Sequence, residues 1–137
     1  MNILIFNAHS PFEASGIVGL DLFNMLAKKG TTVKLVVNKY SANYPEGIVS
    51  METWYRYWKK RAIIKLKRVL RLEGIIVDPK YHFNVSEEKN EFFSTRKLLI
   101  NSKIKPDIII ILHVKDFINV KNIYEFYEIT HAPVYWL

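Results

Sequence analysis

Two stretches of this sequence carry residues that could do chemistry. In the first, 2-NILIFNAHSPFEASGIVGLDLFNMLAKKG-30, an apolar run stops at Asn7-Ala8-His9-Ser10-Pro11, and Ser15-Gly16 opens a pattern with helical spacing. A helix N-terminus offers N–H groups and the positive end of the backbone dipole, which together suit a phosphate. Ser15 is also a residue type that caps helices and Gly16 one that permits a tight turn, so the pair reads either as a cap or as part of a ligand loop. In the second stretch, 106-PDIIIILHVKDFIN-119, the apolar run ends at His113. In an open α/β sheet, ligands bind beyond the carboxyl ends of the strands, which is where His113 would sit. The four histidines are dispersed and no carboxylate stands at ligand spacing, so they do not read as a metal site. His82 and His131 read as structural, and His9 shares the loop with Ser15-Gly16.

A third group is electrostatic. Arg56, Lys59, Lys60, Arg61, Lys65, Lys67, Arg68 and Arg71 fall in one segment with no acidic residue among them, and they account for much of the net charge of +7. Such a patch suits nucleic acid, anionic lipid or an acidic partner. Over Met51–Leu72 the spacing predicts a long helix with Trp54, Trp58, Ala62, Leu66 and Val69 on one side and the bases on most of the other. The simplest expectation is a core-facing stripe with a solvated basic back. The sharper one is a membrane-surface helix with aromatic anchors. Nucleic acid comes third, since no recognised RNA- or DNA-reading motif accompanies the charge.

The elements that must hold these groups follow from periodicity. Ile3–Phe6 reads as a strand. Behind Ser15, the residues Ile17, Leu20, Phe23 and Ala27, with Leu22 and Leu26, form an apolar face that Lys28-Lys29-Gly30 brings to a helix exit. Thr32–Val37 is a second strand, and this strand–helix–strand unit with two apolar strands signals a parallel sheet covered by helices. Tyr40–Gly47 reads as a loop. Two short strand-like runs, Ile75–Val77 and Tyr81–Val85, come before a helix over Asn90–Lys103 with Phe92, Phe93, Leu98, Leu99 and Ile100 inward. Ile108–Leu112 is apolar on both faces and belongs mid-sheet. A helix over Asn119–Ile129 and a strand over Val134–Leu137 complete the chain.

Bulk composition narrows the classes. With 137 residues and 50% hydrophobic content the chain can bury a core of its own, which removes any case for disorder. It has no cysteine, which excludes disulfide frameworks, cysteine-bearing zinc sites and thiol nucleophiles, and fits a reducing compartment. The first residues lack the basic start of a signal peptide. The longest apolar run, Ile108–Leu112, is far short of the roughly 20 residues that span a bilayer. Val134–Leu137 ends the sequence in an apolar run, whereas termini usually lie at a polar surface. Leu137 therefore reads as a cut, and residues 1–137 as the N-terminal part of a longer protein.

With the strand–helix–strand opening, 106-PDIIIILHVKDFIN-119 and 131-HAPVYWL-137 in view, the chain resembles the N-terminal domain of family 4 glycosyltransferases of bacterial polysaccharide biosynthesis. In that branch a Pro-Asp-strand-His-x-x-x-Phe-Ile-Asn pattern precedes an Ala-Pro-Val-x-Trp strand. The resemblance implies the N-terminal, acceptor-side half of a GT-B fold: an α/β, Rossmann-like three-layer domain with a mostly parallel sheet of about five strands. It implies a retaining enzyme that moves a sugar from a nucleotide-sugar donor to a glycan or lipid-linked acceptor, without a cofactor or metal. It places the protein in the cytoplasm or at the inner face of the cell membrane, with an anionic membrane surface as a further partner and no nucleic acid. His113 matches the family's histidine near the reacting sugar and acceptor. Gly16 matches the glycine of the donor loop, which brings His9 and Ser15 toward diphosphate and sugar, although many relatives carry two or more glycines there. The basic group Arg56, Lys59, Lys60, Arg61, Lys67, Arg68 and Arg71 becomes a membrane- or acceptor-side patch. In the family most donor contacts come from a C-terminal domain, so residues 1–137 alone are expected to be inactive. The alternative is a non-enzymatic single Rossmann-like binding module. A receiver version of it is weak, because Asn7-Ala8-His9 follows the first strand where an acidic pair would be needed.

Overall fold

The computed structural model describes residues 1–69, 93–114 and 117–137. In chain order the elements are β1 (Asn2–Asn7), α1 (Ala14–Lys28), β2 (Thr32–Val37), β3 (Ile48–Ser50), α2 (Trp54–Val69), α3 (Thr95–Ser102), β4 (Ile108–His113), α4 (Val120–Thr130) and β5 (Val134–Trp136). The five strands form one sheet in the order β3-β2-β1-β4-β5, and every neighbouring pair is parallel. Parallel pairing requires crossovers, and helices cover both faces of the sheet. The result is the Rossmann-like three-layer α/β domain expected from the alternation of apolar strands and helices.

Side chains alternate across a strand, so each central strand feeds two cores. On one face Leu4, Phe6, Val36, Ile109 and Ile111 pack with Leu98 of α3 and Phe126 of α4. Phe6 stacks on Phe126 at 4.8 Å and meets Phe117 edge-on at 6.1 Å. On the other face Ile3, Ile5, Val33, Leu35 and Leu112 pack with Phe23 of α1. This two-sided burial is why β1 and β4, and Leu35–Val37 of β2, read as continuous apolar runs instead of alternating ones.

Several expectations need correction. β3 was missed: three residues are too short to show a period. The strand-like runs Ile75–Val77 and Tyr81–Val85 lie outside the described residues, as does Phe92. The helix expected over Asn90–Lys103 starts at Thr95, where Ser94 accepts from Lys97 N. Phe93 is buried ahead of that helix, whereas Ile100 is 72% exposed and faces solvent. The strand expected over Val134–Leu137 is β5, the sheet edge, with Tyr135, Trp136 and Leu137 exposed.

The largest correction concerns α2. Its i, i+4 row of Trp54, Trp58, Ala62 and Leu66 was expected to face the core. Instead Trp54 is 60%, Trp58 50% and Leu66 58% exposed, and Ala62 is exposed as well. The domain is met by the neighbouring rows: Tyr57 is half-buried 5.9 Å from the Tyr40 ring, and the Arg56 guanidinium lies 5.2 Å over Phe93. Thr53 Oγ1 accepts from Arg56 N at 3.4 Å, so the helix begins at Trp54, not at Met51.

α3 and α4 are tied together by a buried polar cluster. Asn122 Nδ2 donates to Phe93 O at 3.1 Å and to Thr95 Oγ1 at 2.9 Å, and Thr95 Oγ1 donates to Glu125 Oε2 at 2.5 Å. Asn119 and Asn122 bond reciprocally across the first turn of α4, each side chain accepting from the other's backbone N–H. His131 closes α4 in the left-handed conformation, its N–H bonded to Tyr127 O. This agrees with a structural role for that histidine.

Candidate functional site

The chain runs outward from β1 to β2 and β3, then returns to the other side of β1 to place β4 and β5. The direction of winding therefore reverses between β1 and β4. Helices that leave neighbouring strands in opposite senses open a crevice at that point, beyond the carboxyl ends.

Both sequence-flagged stretches deliver residues there. The β1–β4 register pairs Phe6 with Ile111 but Asn7 with His113, so Leu112 is an extra residue and the ladder shifts by one. Such an irregularity re-aims the side chains beyond it. Ala8 N donates to His113 O at 3.0 Å, which fixes the start of the β1–α1 loop against the end of β4. The His9 and His113 rings then meet edge to face, with centroids 5.0 Å apart and planes at 86°. His9 N also donates to Asn7 Oδ1 at 3.1 Å, a short local turn that directs the loop out of the strand. Asn7 itself is buried, and its Nδ2 finds no hydrogen-bond partner among the described residues.

The rest of the loop lies flat on the start of α1. Glu13, not Ser15, is the N-cap residue, and its side chain makes no capping bond. Ser15 is exposed one residue inside the helix. Of the first N–H groups, that of Glu13 donates to Ser10 O at 3.0 Å and that of Gly16 to Glu13 O at 2.7 Å, leaving those of Ala14 and Ser15 as the N-terminal donors. Gly16 is buried beneath the loop: a β-carbon there would sit 1.7 Å from Ser10 O. The missing side chain thus accommodates the protein's own backbone. Gly19, which the sequence reading passed over, lets α1 settle onto Asn7 and Leu112 one turn later.

The β2–β3 connection forms the second wall. Lys39 Nζ pairs with Glu13 Oε1 at 2.5 Å, and this bond holds the Glu13 carboxyl below its ordinary range. Tyr44 OH donates to Lys39 O at 3.0 Å and its ring tilts against Phe12 at 5.8 Å. Burial, the larger effect, pushes the Tyr44 phenol up, partly offset by its contact with Ser10. Sequence reasoning missed Glu13, Lys39 and Tyr44 as site residues. A signal for Glu13 and Lys39 was present: each follows the carboxyl end of β1 or β2, where an α/β crevice draws its lining.

This edge therefore combines two imidazoles that can donate to or accept from hydroxyls, a lysine and a tyrosine, with the start of α1 beside them. Among the described residues no three His, Asp or Glu side chains converge as a metal set. The basic patch lies elsewhere. Arg56, Lys59 and Arg61 are exposed on α2, and Lys60, Lys67 and Arg68 fall within the same helix. Arg71 lies outside the described residues.

Most of the residues that carry the family resemblance have structural work in this fold. Phe117, Ile118 and Ala132 are core, Asn119 caps α4, and Asp107 Oδ2 accepts from Asn2 N at 2.7 Å. His113 is the member of that pattern that reaches the crevice. No protein-family model matches this sequence, and comparison with characterised proteins and with solved structures finds no match.

Proposed function

We propose that residues 1–137 form the acceptor-side, Rossmann-like half of a retaining glycosyltransferase that uses a nucleotide-sugar donor. The observation that carries this reading is the meeting of His9 and His113 at the point where the sheet reverses its winding. In this reading His113 positions a hydroxyl of the acceptor or of the transferred sugar, and His9 supports it from the facing loop. The N–H groups of Ala14 and Ser15 at the start of α1 offer a few hydrogen bonds to a diphosphate, while Lys39 is paired with the Glu13 carboxylate beside them. A second, donor-gripping half completes the site. These groups alone make few phosphate contacts, and association must first offset several kcal/mol of lost freedom.

The test is a titration of the 137-residue protein with UDP- and GDP-sugars, followed by backbone and imidazole NMR signals. Weak, millimolar perturbation centred on His9, Ser15 and His113, and lost in His113→Ala, supports the reading. Micromolar binding by these residues alone would mean a complete donor site and would replace the half-site reading. Perturbation confined to surfaces away from the β1–β4 crevice would leave a non-enzymatic binding module.

A further inference from the structure

The solvent-facing side of α2 has chemistry that the crevice does not use. Four i, i+4 rows run along an α-helix. The outermost row is Trp54, Trp58, Ala62 and Leu66, all exposed, with the two indoles in contact at 6.4 Å. On one flank Tyr55, Lys59 and Ile63 are exposed; on the other, Arg61 and Lys65 are exposed beyond the half-buried Tyr57. The domain-side rows hold Arg56 over Phe93 and Tyr57 against Tyr40. α2 is thus seated by its first turn and presents an aromatic and aliphatic ridge edged by cations.

We propose that this ridge is a docking surface for an anionic bilayer, with α2 lying in the plane of the lipid headgroups. Charge selects this occupant. No acidic residue occurs between Thr53 and Leu72, so the segment offers an anionic surface attraction without local repulsion. The apolar row selects a bilayer over a nucleic acid duplex. Two indoles, a phenol and two branched aliphatic side chains gain from immersion at the headgroup level but have little to meet along a phosphate backbone. Lys59 and Lys65 are exposed on the two flanks of the ridge, where long stems can lie along it with their charges at the headgroups, and Arg61 is exposed with its guanidinium 5.3 Å over the Tyr57 ring. No helix among the described residues is long and apolar enough to cross a membrane, so contact here is peripheral. The inference stands on α2 alone and is independent of what the crevice binds.

The test uses the 137-residue protein with vesicles of phosphatidylcholine and with vesicles of equal parts phosphatidylcholine and phosphatidylglycerol. Cosedimentation is expected with the anionic vesicles and to fall steeply with salt. Replacing Lys59, Arg61 and Lys65 by Gln should weaken partitioning about a hundredfold, the effect of removing three exposed cations from beside the ridge. Replacing Trp54, Trp58 and Leu66 by Ala should weaken it at least tenfold at unchanged charge. In a Trp136→Phe background, emission from Trp54 and Trp58 should shift to the blue on anionic vesicles. Circular dichroism of each variant distinguishes loss of binding from loss of fold; all six replaced side chains are exposed, so the fold should persist. Equal partitioning to both vesicle types overturns the proposal, as does unchanged binding by the Trp54/Trp58/Leu66 variant. Tighter binding to duplex DNA than to anionic vesicles at the same salt overturns it in favour of nucleic acid.

Discussion

α1 and α2 have similar lengths and both carry apolar rows at helical spacing, yet they treat their large side chains in opposite ways. α1 turns Gly16 to the β1–α1 loop and Gly19 and Phe23 to the sheet, and leaves Ile17 48% exposed. α2 turns Trp54, Trp58 and Leu66 to solvent. Close approach explains α1: with no β-carbon at two successive contact points, the helix backbone can lie directly on the Ser10 carbonyl and on Asn7. A helix with indoles along its row cannot approach a sheet in that way, and α2 is seated instead through Arg56 and Tyr57 near its start. The apolar period shows that a face exists. What it faces depends on how near the partner can come.

The comparison breaks first at Gly16. Gly16→Ala should destabilise the fold by about 3 kcal/mol or more, since its β-carbon would sit within bonding distance of a backbone oxygen that cannot yield without rebuilding the loop. Chemical denaturation measures this, and an unchanged midpoint would show that the loop does not pack on α1. Gly19→Ala should cost less, about 1–3 kcal/mol. There the clash is 2.6 Å to Asn7 Nδ2 and 3.3 Å to Leu112 Cδ1, side-chain atoms with some room to move.

On α2 the expected stability effects are near zero. Trp54→Ala and Trp58→Ala should each change unfolding free energy by about 0.5 kcal/mol or less, because exposed side chains lose little on truncation. A loss of several kcal/mol from either would mean that the row is buried after all, and the contrast between the helices would disappear.

A comparably small effect concerns the crevice wall. Because Lys39 holds the Glu13 carboxyl below its ordinary value of 4.5, the pair contributes stability above that pH and loses it as pH falls through the depressed value. Both groups are about half exposed, so Lys39→Met should cost under about 1 kcal/mol at neutral pH. The direct readout is an NMR titration of the Glu13 carboxyl, whose midpoint should rise toward the ordinary value in the variant. No movement would show that Lys39 does not close the loop.

How much could be read in advance differs by element. β1, β2, β4 and α4 were legible because burial on both faces of a parallel sheet leaves apolar runs, interrupted in β2 by Lys34 alone after Val33, and because Asn119 stands at the N-cap of a strongly periodic segment. β3 was not legible: its three residues are held by pairing with β2, which is a tertiary fact. Ser15 was misread as the cap because the residue type is right and the position is wrong by two. The chain enters α1 at Glu13, where the loop folds back through Ser10. His9 and His113 could each be placed at a strand's carboxyl end. Their contact needed the β1–β4 adjacency and the one-residue register shift at Leu112.

The amino-acid sequence by itself determined the class of fold, the direction of its central strands and the concentration of positive charge on one helix. These depend on local composition and period, which act over a few residues. The tertiary structure alone decided that Gly16 and Gly19 of α1 face the loop and the sheet, that the tryptophans of α2 face solvent, and that two histidines 104 positions apart share a crevice. Each of these depends on the distance between surfaces remote in sequence, and no period within one segment encodes that distance.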